Sequence, residues 1–285
     1  MKIALVGNND GPIRFYDFLT SAGSEVVYLG LQKKPDDHEL KKRYENASTK
    51  LSLCIDERQM MEDLNDLKPD VVINVFCNFI FGESLSYYTV LNYHLSPLPL
   101  YRGRHPMHWA LINGEKNFGS TIHYMSNKVD AGDILLKDNV SIPHHCSVAQ
   151  LRELLFSSME AQLEKLPKIL SNKNFEPLPN DSKKATYILR RYPEDSLLSE
   201  WNDPELIVCK VWALSSESNL AFFHVKGKTY KVIGAELSSK TFVGVQYPTI
   251  YAIDPSHVWI ATIGGRSLKL EVPQHDIKPN TKINQ

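Results

Sequence analysis

Long apolar runs are missing from this 285-residue sequence. The opening MKIALVGNNDG holds an apolar stretch far shorter than a membrane span or a signal-peptide core needs, and polar turn residues follow at once, so it reads as a first buried strand. Cysteine is scarce. Cys54, Cys77, Cys146 and Cys209 are widely separated and form no CxxC pair, which excludes a zinc knuckle and a dense disulfide framework and points to reduced thiols in a cytoplasm. Excess charge of either sign is missing too: the formal net charge is −1, whereas affinity for tRNA or DNA rests on clustered Lys and Arg that release counterions. Internal repeats and low-complexity tracts are also lacking.

Several chemical signatures are absent as well. The first turn reads VGNNDGP and lacks GxGxxG, which argues against a nicotinamide enzyme. No Ser or Cys sits in a GxSxG context, so there is no obvious covalent nucleophile. His144, His145 and Cys146 are adjacent, but neighbouring side chains on an extended segment point to opposite faces and no further ligand motif is near; they read as surface polar groups, not a metal site.

What remains is ordinary soluble-protein composition, 42% hydrophobic and 23% charged, in a chain long enough for a large and a small domain. In the first half, short β-branched runs alternate with amphipathic stretches, the pattern of βαβ units and a mostly parallel sheet. Lys2–Val6, Glu25–Leu29, Leu51–Ile55, Val71–Phe76 and Thr89–Tyr93 read as strands; Ile13–Thr20 and Asp56–Leu67 read as helices. Gly119–Met125 and Ile134–Ser141 read as two further strands joined by the loop SNKVDAGD. From Ser147 a long helix puts Leu151, Leu155, Met159, Leu163, Leu166 and Leu170 on one face. The polar, proline-containing stretch 171–185 reads as a linker, beyond which short strands, turns and aromatics take over and the last residues, IKPNTKINQ, read as a frayed tail. The expected architecture is α/β: a Rossmann-like, mostly parallel catalytic domain over residues 1–184 and a smaller, mainly β domain over 185–285.

The strand Thr89–Tyr93 delivers Asn92 and His94 to its carboxyl end, the edge where ligands gather in open α/β sheets. An amide can donate to a developing oxyanion, an imidazole can move a proton near neutral pH, and the carboxylate of Asp130 can orient that imidazole. Together they suit attack of a neutral nucleophile on a carbonyl. Taken alone, an Asn or His at a strand end is more often a satisfied structural polar group than a catalyst.

The stretch NYHLSPLPLYRG from Asn92 resembles the N-x-H-x-S-x-L-P-x-x-R-G signature of the folate-dependent formyltransferases, and VDAGDIL resembles that family's downstream D-x-G loop. The resemblance implies transfer of the formyl group of 10-formyltetrahydrofolate to an amine by direct attack through a tetrahedral intermediate, with no metal. By it, Asn92 polarises the formyl carbonyl, His94 stabilises the intermediate and handles protons, and Asp130 orients His94 and relays the amine's proton. NFIFGESL resembles the loop that cradles the pterin through the backbone of Phe79, Ile80 and Phe81, with Lys128, Val129 and Asp130 completing the folate site. ATYILRRYPEDSLLSEW and GKTYKVIGAEL resemble the start and middle of the small C-terminal β domain found in several members.

Three acceptor classes compete. The hundred or so residues beyond the linker argue against a glycinamide ribonucleotide enzyme, and a C-terminal half that is not strongly basic argues against methionyl-tRNA formyltransferase, the alternative reading. YRGRHPMHWALINGE resembles the loop of the sugar N-formyltransferases, which act on nucleotide-linked amino sugars for surface polysaccharides such as lipopolysaccharide O-antigen. That implies a nucleotide-linked, family-typically dTDP-linked, amino deoxysugar as substrate. Asn9, Arg102, Arg104 and His105 would meet the diphosphate, and one of Phe222, Phe223 and Tyr230 would stack on the base. A homodimer is the family-based expectation, with no nucleic acid or membrane partner. A non-catalytic folate or nucleotide-sugar binding protein on the same scaffold is the reading of another class.

Overall fold

The computed structural model of the protein describes residues 1–33, 48–77, 87–172, 174–216 and 218–283. Its contacts divide into two units. One comprises Met1–Arg102, Gly119–Asn139 and Leu155–Tyr187; the other comprises Gly103–Phe118, Val140–Leu154 and Ile188–Gln285. Two segments from the first 184 residues, Gly103–Phe118 and Val140–Leu154, thus cluster with the C-terminal residues.

The first unit is built on the expected β-branched runs. β1 (Lys2–Gly7), β2 (Glu25–Leu31), β3 (Lys50–Leu53), β4 (Val71–Val75) and β5 (Thr89–His94) are joined in part by α1 (Gly11–Ser21) and α2 (Glu57–Leu67). Pro12 lies in the first turn of α1, where its missing N–H costs no bond. Asp56 caps α2 by accepting from Gln59 N at 2.8 Å, and Lys68, in the left-handed conformation, ends it. After β5 the chain forms β6 (Arg102–Gly103), α3 (Pro106–Ile112) and β7 (Asn117–Phe118), then β8 (Thr121–Tyr124) and β9 (Ile134–Lys137).

The sheet runs β3-β2-β1-β4-β5-β8-β9. β1 to β5 pair in parallel; β8 and β9 add antiparallel. The expected single strand Ile134–Ser141 is broken: the buried Asp138 carboxylate accepts from Ser120 N and Ser120 Oγ and stops β9 at Lys137, and Val140–Ser141 becomes β10, paired with β7. The long helix from Val148 likewise divides, into α4 (Val148–Leu163) and α5 (Leu166–Ser171). Leu151, Leu155, Met159, Leu163 and Leu166 are fully buried as their common face requires.

Strand alternation sorts side chains between two faces. Ala4, Val6, Val72 and Val90 pack with Tyr28, Met60 and Leu64. On the opposite face Tyr93 meets Phe15 of α1 and Phe156 of α4, with ring centroids 5.0 and 5.5 Å apart, contacts worth about 1 kcal/mol each beyond their area. Because Tyr93 faces that aromatic cluster, Asn92 and His94 must share the other face.

The stretch read as a linker is pinned to the sheet. Leu178 and Ile134 exchange backbone hydrogen bonds of 2.8 and 2.9 Å, and Asn180 is buried. It ends at β11 (Tyr187–Ile188), which pairs with β6.

The second unit differs from its sequence-based reading in two places, a helix and the C-terminal tail. Pro204–Leu214 is a helix, α6, where only strands and turns were expected. Ile207, Val208 and Val211 are β-branched, but Asp203 accepts from Leu206 N at 3.2 Å and Pro204 occupies the first turn, a helix-start signal that such residues mask. The rest is antiparallel, as expected. β12 (Ala221–Val225) and β13 (Lys228–Val232) form a hairpin, and β14 (Gly234–Ser238), β15 (Thr249–Ile253), β16 (His257–Ala261), β17 (Ser267–Glu271) and β18 (Thr281–Lys282) form a sheet in the order β14-β17-β16-β15-β18. The tail expected to fray is therefore a strand: Thr281 and Lys282 pair with β15, and Ile277 and Ile283 are buried beneath it.

Candidate active site

β5 carries Asn92 and His94 to its carboxyl end, and the neighbouring strands supply their partners by register. Asn74 of β4 lies opposite Asn92, and His123 of β8 lies opposite it on the other side. Asn74 Nδ2 donates to Asn92 Oδ1 at 2.9 Å; Asn92 Nδ2 lies 3.1 Å from His123 Nε2 and 3.4 Å from Asp130 Oδ1.

Past His94 the turn is held from both sides. Ser96 Oγ donates to Leu100 O, Thr121 Oγ1 donates to Ser96 O, and Lys137 Nζ donates to Leu98 O at 2.7 Å. This presents Tyr101 O to His94 Nε2 at 3.1 Å. A carbonyl only accepts, so Nε2 carries the hydrogen and Nδ1 is the basic atom of the neutral ring. Nδ1 faces Asp130 Oδ2 across 3.7 Å. Tyr101 thus fixes the ring, and the carboxylate stands slightly beyond hydrogen-bond reach. Burial pushes the His94 pKa down, and the nearby Asp130 charge only partly restores it.

Asp130 sits in the loop SNKVDAGD with φ 48°, a left-handed conformation that Asp tolerates. Gly132 is required there: a Cβ on it would lie 1.9 Å from Tyr124 O. Asn180 Nδ2 donates to both Asp130 O and Gly132 O at 2.9 Å, and Tyr124 N donates to Asp133 O at 2.9 Å. Asn180 is held in turn by Arg102, whose Nη2 donates to Asn180 O at 3.1 Å and Oδ1 at 2.6 Å while Nη1 donates to Tyr187 OH at 3.0 Å.

The structure therefore brings Asn92, His94 and Asp130 together and adds Asn74 and His123, which sequence reasoning missed. Asn74 is the single polar residue inside the apolar strand Val71–Val75, which was the available signal; His123 lies in the mixed strand Thr121–Tyr124, where nothing sets it apart. Of the folate-site expectations, Lys128 and Val129 lie exposed beside Asp130, and Phe79, Ile80 and Phe81 fall outside the described residues. Asn9 follows β1 with φ 59°, its N–H bonded to Asn8 Oδ1. Arg102, expected at a diphosphate, is instead 1% exposed, with its guanidinium committed to Asn180 and Tyr187.

In the second unit, Arg104 and His105 are exposed, and His105 Nδ1 accepts from Arg191 N at 3.1 Å. Phe223 is fully buried and stacks on Tyr230 at 5.7 Å, and the Tyr230 hydroxyl donates to Asp276, so both belong to the interior; Phe222 is half-buried and meets the His224 ring edge-on at 5.3 Å. His144 and His145 are exposed as expected, with His145 stacked on Trp212 at 4.7 Å, whereas Cys146, expected beside them on the surface, is buried. Among the described residues no group of three or more His, Cys, Asp or Glu side chains is arranged to hold a metal, and no helix is long and apolar enough to cross a membrane.

Residues 25–163 match the family model described as formyl transferase. The chain carries a formyl transferase domain. Asn92, His94 and Asp130 all fall inside it. Over 185 residues, 64% of this chain, it is 34% identical to the bifunctional polymyxin resistance protein ArnA of Wigglesworthia glossinidia brevipalpis, of which the match covers 27%. Over 136 residues, 47% of the chain, it is 36% identical to the methionyl-tRNA formyltransferase of Clostridium beijerinckii, covering 42% of it. The chain thus spans less than half the length of these two curated relatives. Its fold is that of the N-formyltransferase from Helicobacter canadensis, solved with folinic acid and dTDP-3-aminofucose: TM-score 0.72, 17% identity, 95% of this chain and 99% of that one.

Proposed function

We propose that the protein is a 10-formyltetrahydrofolate-dependent N-formyltransferase whose acceptor is the amine of a nucleotide-linked amino sugar. The observation that carries the reading is the meeting of Asn92, His94 and Asp130, drawn from one strand and a distant loop, within 3.7 Å at the carboxyl end of β5. Support for a sugar acceptor comes from the loop sequence YRGRHPMHWALINGE, the near-neutral charge, and a fold shared along almost its whole length with an enzyme solved beside dTDP-3-aminofucose.

The chemistry follows from the atoms. An unprotonated amine attacks the formyl carbon; the N–C bond to the acceptor forms, the bond from that carbon to N10 of the folate breaks, and the proton lost by the amine ends on N10. His94 Nδ1, neutral because the ring is buried, accepts that proton, and Asp130 stabilises the imidazolium that results. Asn92 Nδ2 donates to the oxygen as it gains charge.

The test is release of tetrahydrofolate from 10-formyltetrahydrofolate with a panel of dTDP- and UDP-linked amino sugars beside methionyl-tRNA. Turnover with a sugar is expected. Turnover with the tRNA alone would transfer the reading to the methionyl-tRNA enzymes, which the 36% identity to one of them favours; turnover with neither would leave a binding protein.

A further inference from the structure

We infer that Asn74 is a positioning residue that sets which way round the Asn92 amide faces; this rests on the formyl-transfer reading of the same site. Asn74, Asn92 and His123 stand side by side on three adjacent strands. Both ends of this row abut backbone groups that act in one sense only. Cys77 N–H donates to Asn74 Oδ1 at 2.8 Å, so Asn74 must turn its Nδ2 toward Asn92. At the far end His123 Nδ1 lies 2.8 Å from Tyr124 O, which only accepts, so Nδ1 carries the hydrogen and Nε2 accepts from Asn92 Nδ2.

The amide is thereby specified from two directions. Asn92 Oδ1 receives Asn74 Nδ2, and one Nδ2 hydrogen is spent on His123. The other has only a 3.4 Å contact to Asp130 Oδ1, weak enough to be exchanged for a reacting carbonyl oxygen beside His94. A reversed amide would set its oxygen against the Asp130 carboxylate and offer no donor.

Packing does not explain the choice of residue. Asn74 is 5% exposed in the strand VVINV, whose other members are all apolar and buried. A buried amide in such a run costs free energy unless each of its groups is paired, and here the pairing is directional.

Asn74→Asp tests this, because the carboxylate keeps the shape and still accepts from Cys77 N–H but cannot donate to Asn92. At pH 9 we expect kcat to fall at least about 30-fold with KM for the amine within about twofold, while Asn74→Ala, which leaves His123 to orient Asn92, loses less. A packing role would reverse that order, since Ala leaves a void and removes the Cys77 acceptor. Equal kcat for the two variants, or Asp the more active, overturns the inference.

A second measurement stands apart from turnover. In 15N-edited spectra the Asn92 side-chain NH2 pair, identified by its loss in Asn92→Ala, should move in Asn74→Asp, and its exchange with water should speed at least tenfold in Asn74→Ala. An unmoved pair with unchanged exchange overturns the inference even if no acceptor is found; a wild-type protein silent toward every acceptor, with the pair responding as stated, overturns the formyl-transfer reading alone. Should Asn74→Asp not fold, the Ala variant and its exchange rate decide.

Discussion

Asp130 stands 3.7 Å from His94 with its Oδ2 aimed at Nδ1, the atom that the Tyr101 carbonyl leaves basic by holding Nε2–H. The separation is too long for a strong hydrogen bond and short enough for charge to act through a buried site. Burial keeps the imidazole neutral at rest, and the carboxylate stabilises it once protonated. Replacing His94 by Ala should lower kcat by about 10²-fold to 10⁴-fold, the range for losing a general base. Asp130→Asn, which keeps the shape and removes the charge, should cost about tenfold or more in kcat with little change in KM. Steady-state kinetics on folded variants check both, and a His94→Ala enzyme with wild-type kcat would remove the assigned role.

The pH dependence follows from the same pair. Burial disfavours imidazolium and pushes His94 down, so the acid limb of kcat should lie below the ordinary histidine value of about 6.5. Asp130 acts in the opposite direction, so Asp130→Asn should move that limb further to the acid side. Linkage gives the sign for stability: the unfolded chain takes up a proton below about 6.5 that the native ring refuses, so this contribution is full above that pH and is lost as pH falls. A wild-type acid limb in kcat above 6.5 would contradict the assignment of the base.

Arg102 predicts a stability effect where the sequence implied a binding one. It is buried and donates to Asn180, which in turn holds Asp130 O and Gly132 O. Arg102→Ala removes charge-assisted bonds and leaves a cavity, and should destabilise by about 3 kcal/mol or more. Asn180→Ala should lower kcat as well as stability, because the Asp130 loop loses both of its amide anchors. Thermal unfolding of the two variants, read beside KM for the acceptor, separates the roles: a raised KM with unchanged melting in Arg102→Ala would restore the diphosphate contact.

Much of this site is written in short patterns that a reader can see. β-branched runs and their spacing give β1 to β5, and the period-2 rule places Asn92 and His94 on one face once Tyr93 is assigned to the core. What could not be read is pairing across strands. That Asn74 and His123 flank Asn92 depends on β4 and β8 being its neighbours in this register, and β8 reaches β5 only after a detour of more than twenty residues. Arg102 illustrates the same limit: an arginine after a proline turn has the same sequence signature whether its fork meets a ligand or the protein's own carbonyls. The helix Pro204–Leu214 was masked by β-branched residues that outweighed its cap, and the C-terminal strand by a polar tail whose few apolar residues, Ile277 and Ile283, proved to be the buried ones.

Gly132 ties the D-x-G spacing to geometry. Its Cα approaches Tyr124 O so closely that a methyl group would stand at 1.9 Å, and that backbone is part of β8, which also carries His123. Gly132→Ala must push the loop away from the strand, stretching the Asn180 contacts and withdrawing Asp130 from His94. Shifting packed backbone costs about 1–3 kcal/mol in stability, and a displacement of about 1 Å at a reacting group costs about 10²-fold in rate. The two effects should appear together in Gly132→Ala, and the kinetic one should exceed what the lost stability explains when folded enzyme is counted. An enzyme destabilised by that amount yet fully active would show that the loop can retreat without moving the carboxylate, and the positioning role of the glycine would fall.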